Sequence, residues 1–171
     1  DTIDGSLLWS NEHRVSFISQ IKVDNDKFYA LDANNTFNCF SLKDGNKLWE
    51  FKTEEKLINS QKQTSIVIDK DKVIFNNSKG EIIALDKDSG NLIWITPSIS
   101  FDESFQAFLL KSSDLVLDNE SLYISNNRNN FYSLDVNTGL VNWRQNINSS
   151  LRSVIIDNVI FTISDNGYLF I

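Results

Sequence analysis

Four tryptophans stand at a fixed distance from four glycines. Trp9, Trp49, Trp94 and Trp143 follow Gly5, Gly45, Gly90 and Gly139 by four residues each, at intervals of 40, 45 and 49 residues. A recurrence on that scale means stacked supersecondary units, each burying its apolar face only against its neighbours. Units of about 40–45 residues with one Trp apiece predict the four-stranded blades of a β-propeller. The chain reads as all-β, a propeller segment of about four four-stranded antiparallel blades, where closed propellers typically need four to eight. Within this single segment the repeat units run approximately 1–9 (partial), 10–49, 50–94, 95–143 and 144–171 (partial).

Inside each unit, two apolar runs flank a turn. Ser19-Gln20-Ile21-Lys22-Val23 leads through Asp24-Asn25-Asp26-Lys27 into Phe28-Tyr29-Ala30-Leu31. Ser65-Ile66-Val67-Ile68 leads through Asp69-Lys70-Asp71-Lys72 into Val73-Ile74-Phe75. Asp114-Leu115-Val116-Leu117 and Ser153-Val154-Ile155-Ile156 open the remaining two in the same way. Short β-branched and aromatic runs separated by Asx-rich turns are hairpin signals. A second column, Asn35, Gly80, Asn129 and Gly167, collects the residue types that tolerate positive φ and marks another repeated turn. The residues just before the four spaced glycines, Asp4, Asp44, Ser89 and Thr138, are suited to bond the turn backbone. The Trp, near the end of the outer strand, is expected to cover apolar area and lock adjacent blades.

Composition narrows the partners. The formal charge is −7 and the pI near 4.6. An acidic surface repels phosphate backbones and anionic lipid heads, which argues against nucleic acid and membrane surfaces. No apolar run reaches the ~20 residues of a membrane span, and no signal peptide lies within these residues; one would lie upstream of Asp1. The sequence has no methionine and begins inside a repeat, so a fragment of a larger propeller or a processed chain is expected. Cys39 is the single cysteine, so no intrachain disulfide can form.

Ser133-Leu134-Asp135-Val136-Asn137-Thr138-Gly139-Leu140-Val141-Asn142-Trp143 resembles the tryptophan-docking repeat of pyrroloquinoline-quinone-type (PQQ-like) β-propellers. Ala84-Leu85-Asp86-Lys87-Asp88-Ser89-Gly90-Asn91-Leu92-Ile93-Trp94 matches nearly as well. The unit ending in Trp49 departs, with Cys39, Ser41 and Asp44 at the Ala, Asp and Thr positions. Within that family the spacing is similar to the eight-bladed BamB proteins, lipoprotein subunits of the outer-membrane β-barrel assembly machine, so the resemblance implies that this chain is about half of a seven- or eight-bladed PQQ-like propeller. The resemblance implies a non-enzymatic, protein-binding scaffold on the periplasmic side of the bacterial outer membrane. It implies no cofactor, and a protein partner, with the outer-membrane barrel-assembly protein BamA as the candidate. Any membrane association would come only through a lipid anchor outside this sequence. The alternatives are a fragment of a quinone-dependent (PQQ) dehydrogenase, or a PQQ-like propeller with another ligand.

Two segments carry the partner reading. After Trp49, Leu57 and Ile58 resemble a contacting loop. After Trp94, the segment Ile95 to Lys111 holds the only proline, Pro97, with Phe101, Asp102, Glu103 and Phe105, and Asp114 follows. Loops on rigid scaffolds carry function, and an aromatic anchor inside an acidic rim suits a protein partner. Arg152, beside Leu151, is a further candidate anchor. No catalytic or metal residue is assigned. His13 is the only histidine and reads as a surface residue, and Cys39 reads as a small buried hydrophobe. The Asp-rich triplets at 24–26, 69–71 and 86–88 lack a calcium loop's central Gly and terminal Glu, and read as turns.

Overall fold

The computed structural model describes residues 1–53, 64–99 and 109–171, and among them no α-helix occurs. Four antiparallel meanders follow in chain order. The first contains β1 (Lys22–Asp24), β2 (Lys27–Leu31), β3 (Thr36–Ser41) and β4 (Lys47–Lys52). The second contains β5 (Ile66–Asp69), β6 (Lys72–Asn76), β7 (Glu81–Asp86) and β8 (Leu92–Pro97). The third contains β9 (Val116–Asp118), β10 (Ser121–Asn126), β11 (Asn130–Asp135) and β12 (Val141–Gln145). The fourth has three strands, β13 (Val154–Ile156), β14 (Val159–Ile163) and β15 (Leu169–Phe170). β1 approaches β5, and β5 approaches β9, so first strands lie at the inner edge of a radial array and fourth strands at the outer edge. This is a partial β-propeller. Pro97 ends an outer strand opposite Glu81, where a missing N–H costs no ladder bond. The connection after Trp94 therefore starts beyond Pro97, not at Ile95.

The core lies between sheets. Tyr29, Leu31 and Phe37 of the first sheet meet Phe75, Ile83 and Leu85 of the second, all fully buried. The Phe37 and Phe75 rings stack with centroids 4.1 Å apart. Ile74, Ile82 and Ala84, on the opposite face of the second sheet, meet Leu122, Ile124 and Leu134 of the third. Period-two alternation makes both faces of the middle sheets apolar, because each is covered by a neighbour. Two ion pairs also cross the first interface, Lys27–Asp88 at 2.6 Å and Lys87–Asp24 at 2.7 Å. Such partly exposed pairs contribute about 0–1 kcal/mol each. A fully buried Leu or Phe contributes about 1.5–3 kcal/mol, so apolar burial holds the sheets together and the charges align them.

Each tryptophan with a following sheet docks on the glycine of that sheet. The Trp9 ring lies over Gly45, Trp49 over Gly90 and Trp94 over Gly139. Trp94 Nε1 donates to the Val136 carbonyl at 3.1 Å, and Trp9 Nε1 to the Leu42 carbonyl at 3.0 Å. Both acceptors lie three residues before the receiving glycine. The corresponding carbonyl for Trp49 is that of Lys87, which accepts instead from the Tyr29 hydroxyl at 3.2 Å, and Trp49 Nε1 has no hydrogen-bond partner.

Two kinds of turn repeat. Asp32 Oδ1 accepts from the Asn34 and Thr36 amides, and Asn77 Oδ1 from the Lys79 and Glu81 amides. These Asx turns precede Asn35 and Gly80, at φ 57° and 79°, and Asn129 and Gly167 are left-handed as well. Before the outer strands, Asp86 Oδ1 accepts from the Ser89 hydroxyl and amide, and Asp135 Oδ1 from those of Thr138. The Ser89 and Thr138 hydroxyls, first among the causes, hold these two carboxyls below the ordinary 3.8. A carboxylate whose pKa is depressed on folding stabilises the fold above its unfolded pKa, and that contribution is lost as pH falls through the folded one. The melting temperature should therefore fall on acidification below the ordinary carboxylate range. The double variant Asp86→Asn/Asp135→Asn should flatten that acid limb. An unchanged acid limb in pH-dependent thermal melts would show that these turns are not its source.

Candidate functional site

The connections from an outer strand to the next inner strand carry every proposed partner contact. Leu57 and Ile58 fall between β4 and β5, and Phe101, Asp102, Glu103 and Phe105 between β8 and β9; all six lie outside the described residues. Asp114 and Arg152 are described. Each stands two residues before the innermost strand of its sheet, β9 or β13, so they share one register on neighbouring sheets. Arg152 is exposed and Asp114 half-buried. One acidic and one basic side chain thus occupy equivalent places at one end of the inner edge.

The stems of the β8–β9 connection are clamped. On the near side, the Ser98 amide and hydroxyl both donate to the Gly80 carbonyl, at 2.7 and 2.8 Å. The Ser98 carbonyl accepts from Asn126 Nδ2 at 3.0 Å, Asn130 Nδ2 at 3.3 Å and Tyr132 Oη at 3.3 Å. On the far side, Asn127 Oδ1 accepts from the Lys111 amide and Asn127 Nδ2 donates to the Leu109 carbonyl, each at 2.9 Å. Ile99 and Leu110 pack together over Gly80. The Arg152 segment is held similarly, with the Ser150 amide and hydroxyl bonded to Asp165 Oδ1. Rooted connections of this kind present side chains from a fixed base.

Two cavities open at the end sheets. One, of about 750 Å³, lies on the open face of the first sheet under Trp9, His13, Phe17, Phe28 and Phe40. His13 is not a plain surface residue. Its side chain is 24% exposed, its ring stacks on Phe17 at 4.5 Å, and Nε2 lies 3.2 Å from Asp32 Oδ2. Nothing in the sequence signals this pairing, because the two residues meet only through the fold. The other cavity, of about 640 Å³, lies under Trp143 beside the fourth sheet. Cys39 is fully buried, and burial pushes its thiol up to about 11, leaving it protonated and inert. Among the described residues, no group of three His, Cys, Asp or Glu side chains converges as a metal site.

The sequence profile of the family described as outer membrane protein assembly factor BamB matches residues 1–171. The chain belongs to that family. No curated protein sequence matches it. Among solved structures it is similar to BamB from Moraxella catarrhalis, at TM-score 0.79 and 16% identity, covering 96% of this chain and 51% of that one. It is similar to the computationally designed protein Ika4, at TM-score 0.70 and 12% identity, covering 97% and 96%. It also resembles the quinohemoprotein alcohol dehydrogenase ADHIIG from Pseudomonas putida HK5, at TM-score 0.62 and 16% identity, covering 82% and 22%. Identities this low show a shared fold alone. The chain spans about half the length of the Moraxella BamB.

Proposed function

We propose that this chain is a non-enzymatic protein-binding scaffold acting in the assembly of β-barrel proteins into the bacterial outer membrane, on its periplasmic side. The observation that carries this reading is the placement of Asp114 and Arg152 in one register on neighbouring sheets, in a chain matched along its length by an assembly-factor family. The mechanism is passive. The packed sheets hold the stems of the outer-to-inner connections, and the connections grip a partner by shape and charge. BamA, the partner implied by the resemblance, is the first to test. A lipid anchor outside this sequence would supply the membrane tether.

The test is capture of purified BamA by the wild-type chain and by two charge-reversal variants, Arg152→Glu and the triple Asp102→Lys/Glu103→Lys/Asp114→Lys. At least a tenfold loss of affinity is expected in each, with thermal unfolding unchanged. Undiminished capture by both variants would remove the proposed surface. PQQ and calcium added to the wild-type chain distinguish the enzyme reading, because a quinone-dependent dehydrogenase would bind them and change absorbance on reduction.

A further inference from the structure

The outermost strand of the second sheet differs from its counterparts. β4 carries Lys47, Glu50 and Lys52, with Glu50 ion-paired to both lysines, and β12 carries Arg144. β8 reads Leu92-Ile93-Trp94-Ile95-Thr96-Pro97 and holds no charge. Charged side chains on an edge strand keep other chains from adding to the sheet. β8 lacks that protection. It also belongs to the sheet whose two faces are both covered, one by the first sheet and the other by the third. Leu92, Ile93 and Ile95 nevertheless stay 48%, 40% and 44% exposed, while Trp94 among them is docked on Gly139.

The backbone of this edge is unspent as well. The outer side of β8 meets no strand among the described residues. Antiparallel pairs alternate between hydrogen-bonded and non-bonded. The Ser98 amide donates to the Gly80 carbonyl, so Ile82↔Thr96 and Ala84↔Trp94 are the bonded pairs and Ile83↔Ile95 is not. The Ile95 amide and carbonyl therefore point out of the sheet, as does the Pro97 carbonyl. Beyond the bulge at Ile93, the Asp86 amide donates to the Asn91 carbonyl, so the backbone groups of Leu92 turn outward too. We propose that β8 is an acceptor edge for one extended, uncharged segment with alternating apolar side chains. That is the chemistry of an unfolded strand of a membrane β-barrel. The inference rests on the proposed role in barrel assembly and names what the scaffold holds besides BamA.

An extended segment fits this edge better than a second copy of the chain does. The bulge at Ile93 and the missing N–H of Pro97 bracket it, so only a few ladder bonds can form. A contact that short falls below the roughly 1,200–2,000 Å² of a stable interface and suits brief retention. Main-chain bonds accept any sequence, and the side chains select. Period two puts Ile95 on the face away from Trp94 and Thr96, which bond the third sheet. A charge laid against Ile95 would lose water without gaining a counter-ion. Barrel strands alternate apolar and polar residues, so their apolar side meets Ile95. β8 lies at the outer rim, whereas Asp114 and Arg152 stand at the inner edge, so both surfaces can be occupied at once.

The probe is a fluorescent peptide of about ten residues alternating valine and threonine, with a lysine at each end, titrated with the full chain and read by anisotropy. It should bind, and a peptide of the same composition with its valines grouped at one end should bind about tenfold more weakly or worse. Only one side of a strand faces the edge, so N-methylating alternate amides, one set at a time, should abolish binding for one set and spare it for the other. Equal binding of the grouped peptide, or equal effects of the two methylated sets, would overturn the proposal, and neither result needs a variant that folds. Ile95→Lys gives β8 a charge like those of its counterparts and should weaken binding about tenfold or more with thermal unfolding unchanged. Leu48→Lys on β4 should leave binding intact. Unweakened binding by Ile95→Lys would defeat the proposal, as would a two-copy particle that this variant dissolves. Ile95→Lys should capture BamA as the wild-type chain does, and loss of that capture would assign β8 to the BamA surface instead. A wild-type chain that captures BamA but ignores the peptide sinks this edge alone. One that binds the peptide but fails to capture BamA supports the edge and removes the inner-edge surface.

Discussion

Trp94→Ala is expected to lower the unfolding free energy by about 3–5 kcal/mol, the range for a buried Trp truncated in a core. The indole is 8% exposed, lies over Gly139 and donates to the Val136 carbonyl. Removing it opens a cavity between the second and third sheets and leaves that carbonyl without its donor. Denaturant unfolding measures the loss, read from the shift in midpoint at constant slope. The phenylalanine variants separate the two contributions. Trp94→Phe orphans the Val136 carbonyl, whereas Trp49 Nε1 has no partner to lose. Trp94→Phe should therefore cost about 1 kcal/mol more than Trp49→Phe, the scale of one hydrogen bond. Equal costs would mean that the indole N–H contributes nothing to docking.

Gly90→Ala is expected to be nearly as damaging, for two separable reasons. Gly90 has φ +74°, where an L side chain costs about 1–2 kcal/mol. The added Cβ would also stand 2.6 Å from Trp49 Cε3 and 2.7 Å from Cδ2. Displacing a docked indole adds about 1–3 kcal/mol, the usual range for overpacking. Gly167→Ala supplies the comparison, because Gly167 has φ +85° and open space where the Cβ would go. It should lose only the backbone contribution. If both variants unfold at the same denaturant midpoint, the glycine is needed for the turn alone and not for the tryptophan.

Much of the fold was legible because its signals are local. The hairpin turns hold left-handed residues where Asn25, Lys70, Asn119 and Asp157 stand, and the second column of Asn and Gly is left-handed throughout. Asp4, Asp44, Ser89 and Thr138 bond the amide two residues on, as their side chains favour. The candidate site was only partly legible. Asp114 and Arg152 could be singled out from residue type, but their shared register depends on strand pairing. The polar clamp on the Ser98 carbonyl joins residues from two sheets, with sequence separations of 28 to 34. No local pattern encodes a contact of that range.

By itself, the sequence determined the number of sheets, the order of strands within them and the places where tryptophan and glycine recur. Turn conformation and side-chain alternation depend on neighbouring residues, so they can be read along the chain. Only the tertiary structure decided which glycine receives which indole, that Tyr29 takes the carbonyl Trp49 would otherwise use, and that His13 meets Asp32. Those outcomes depend on how sheets of particular side chains pack face to face. Close packing selects among contacts that composition alone leaves equivalent.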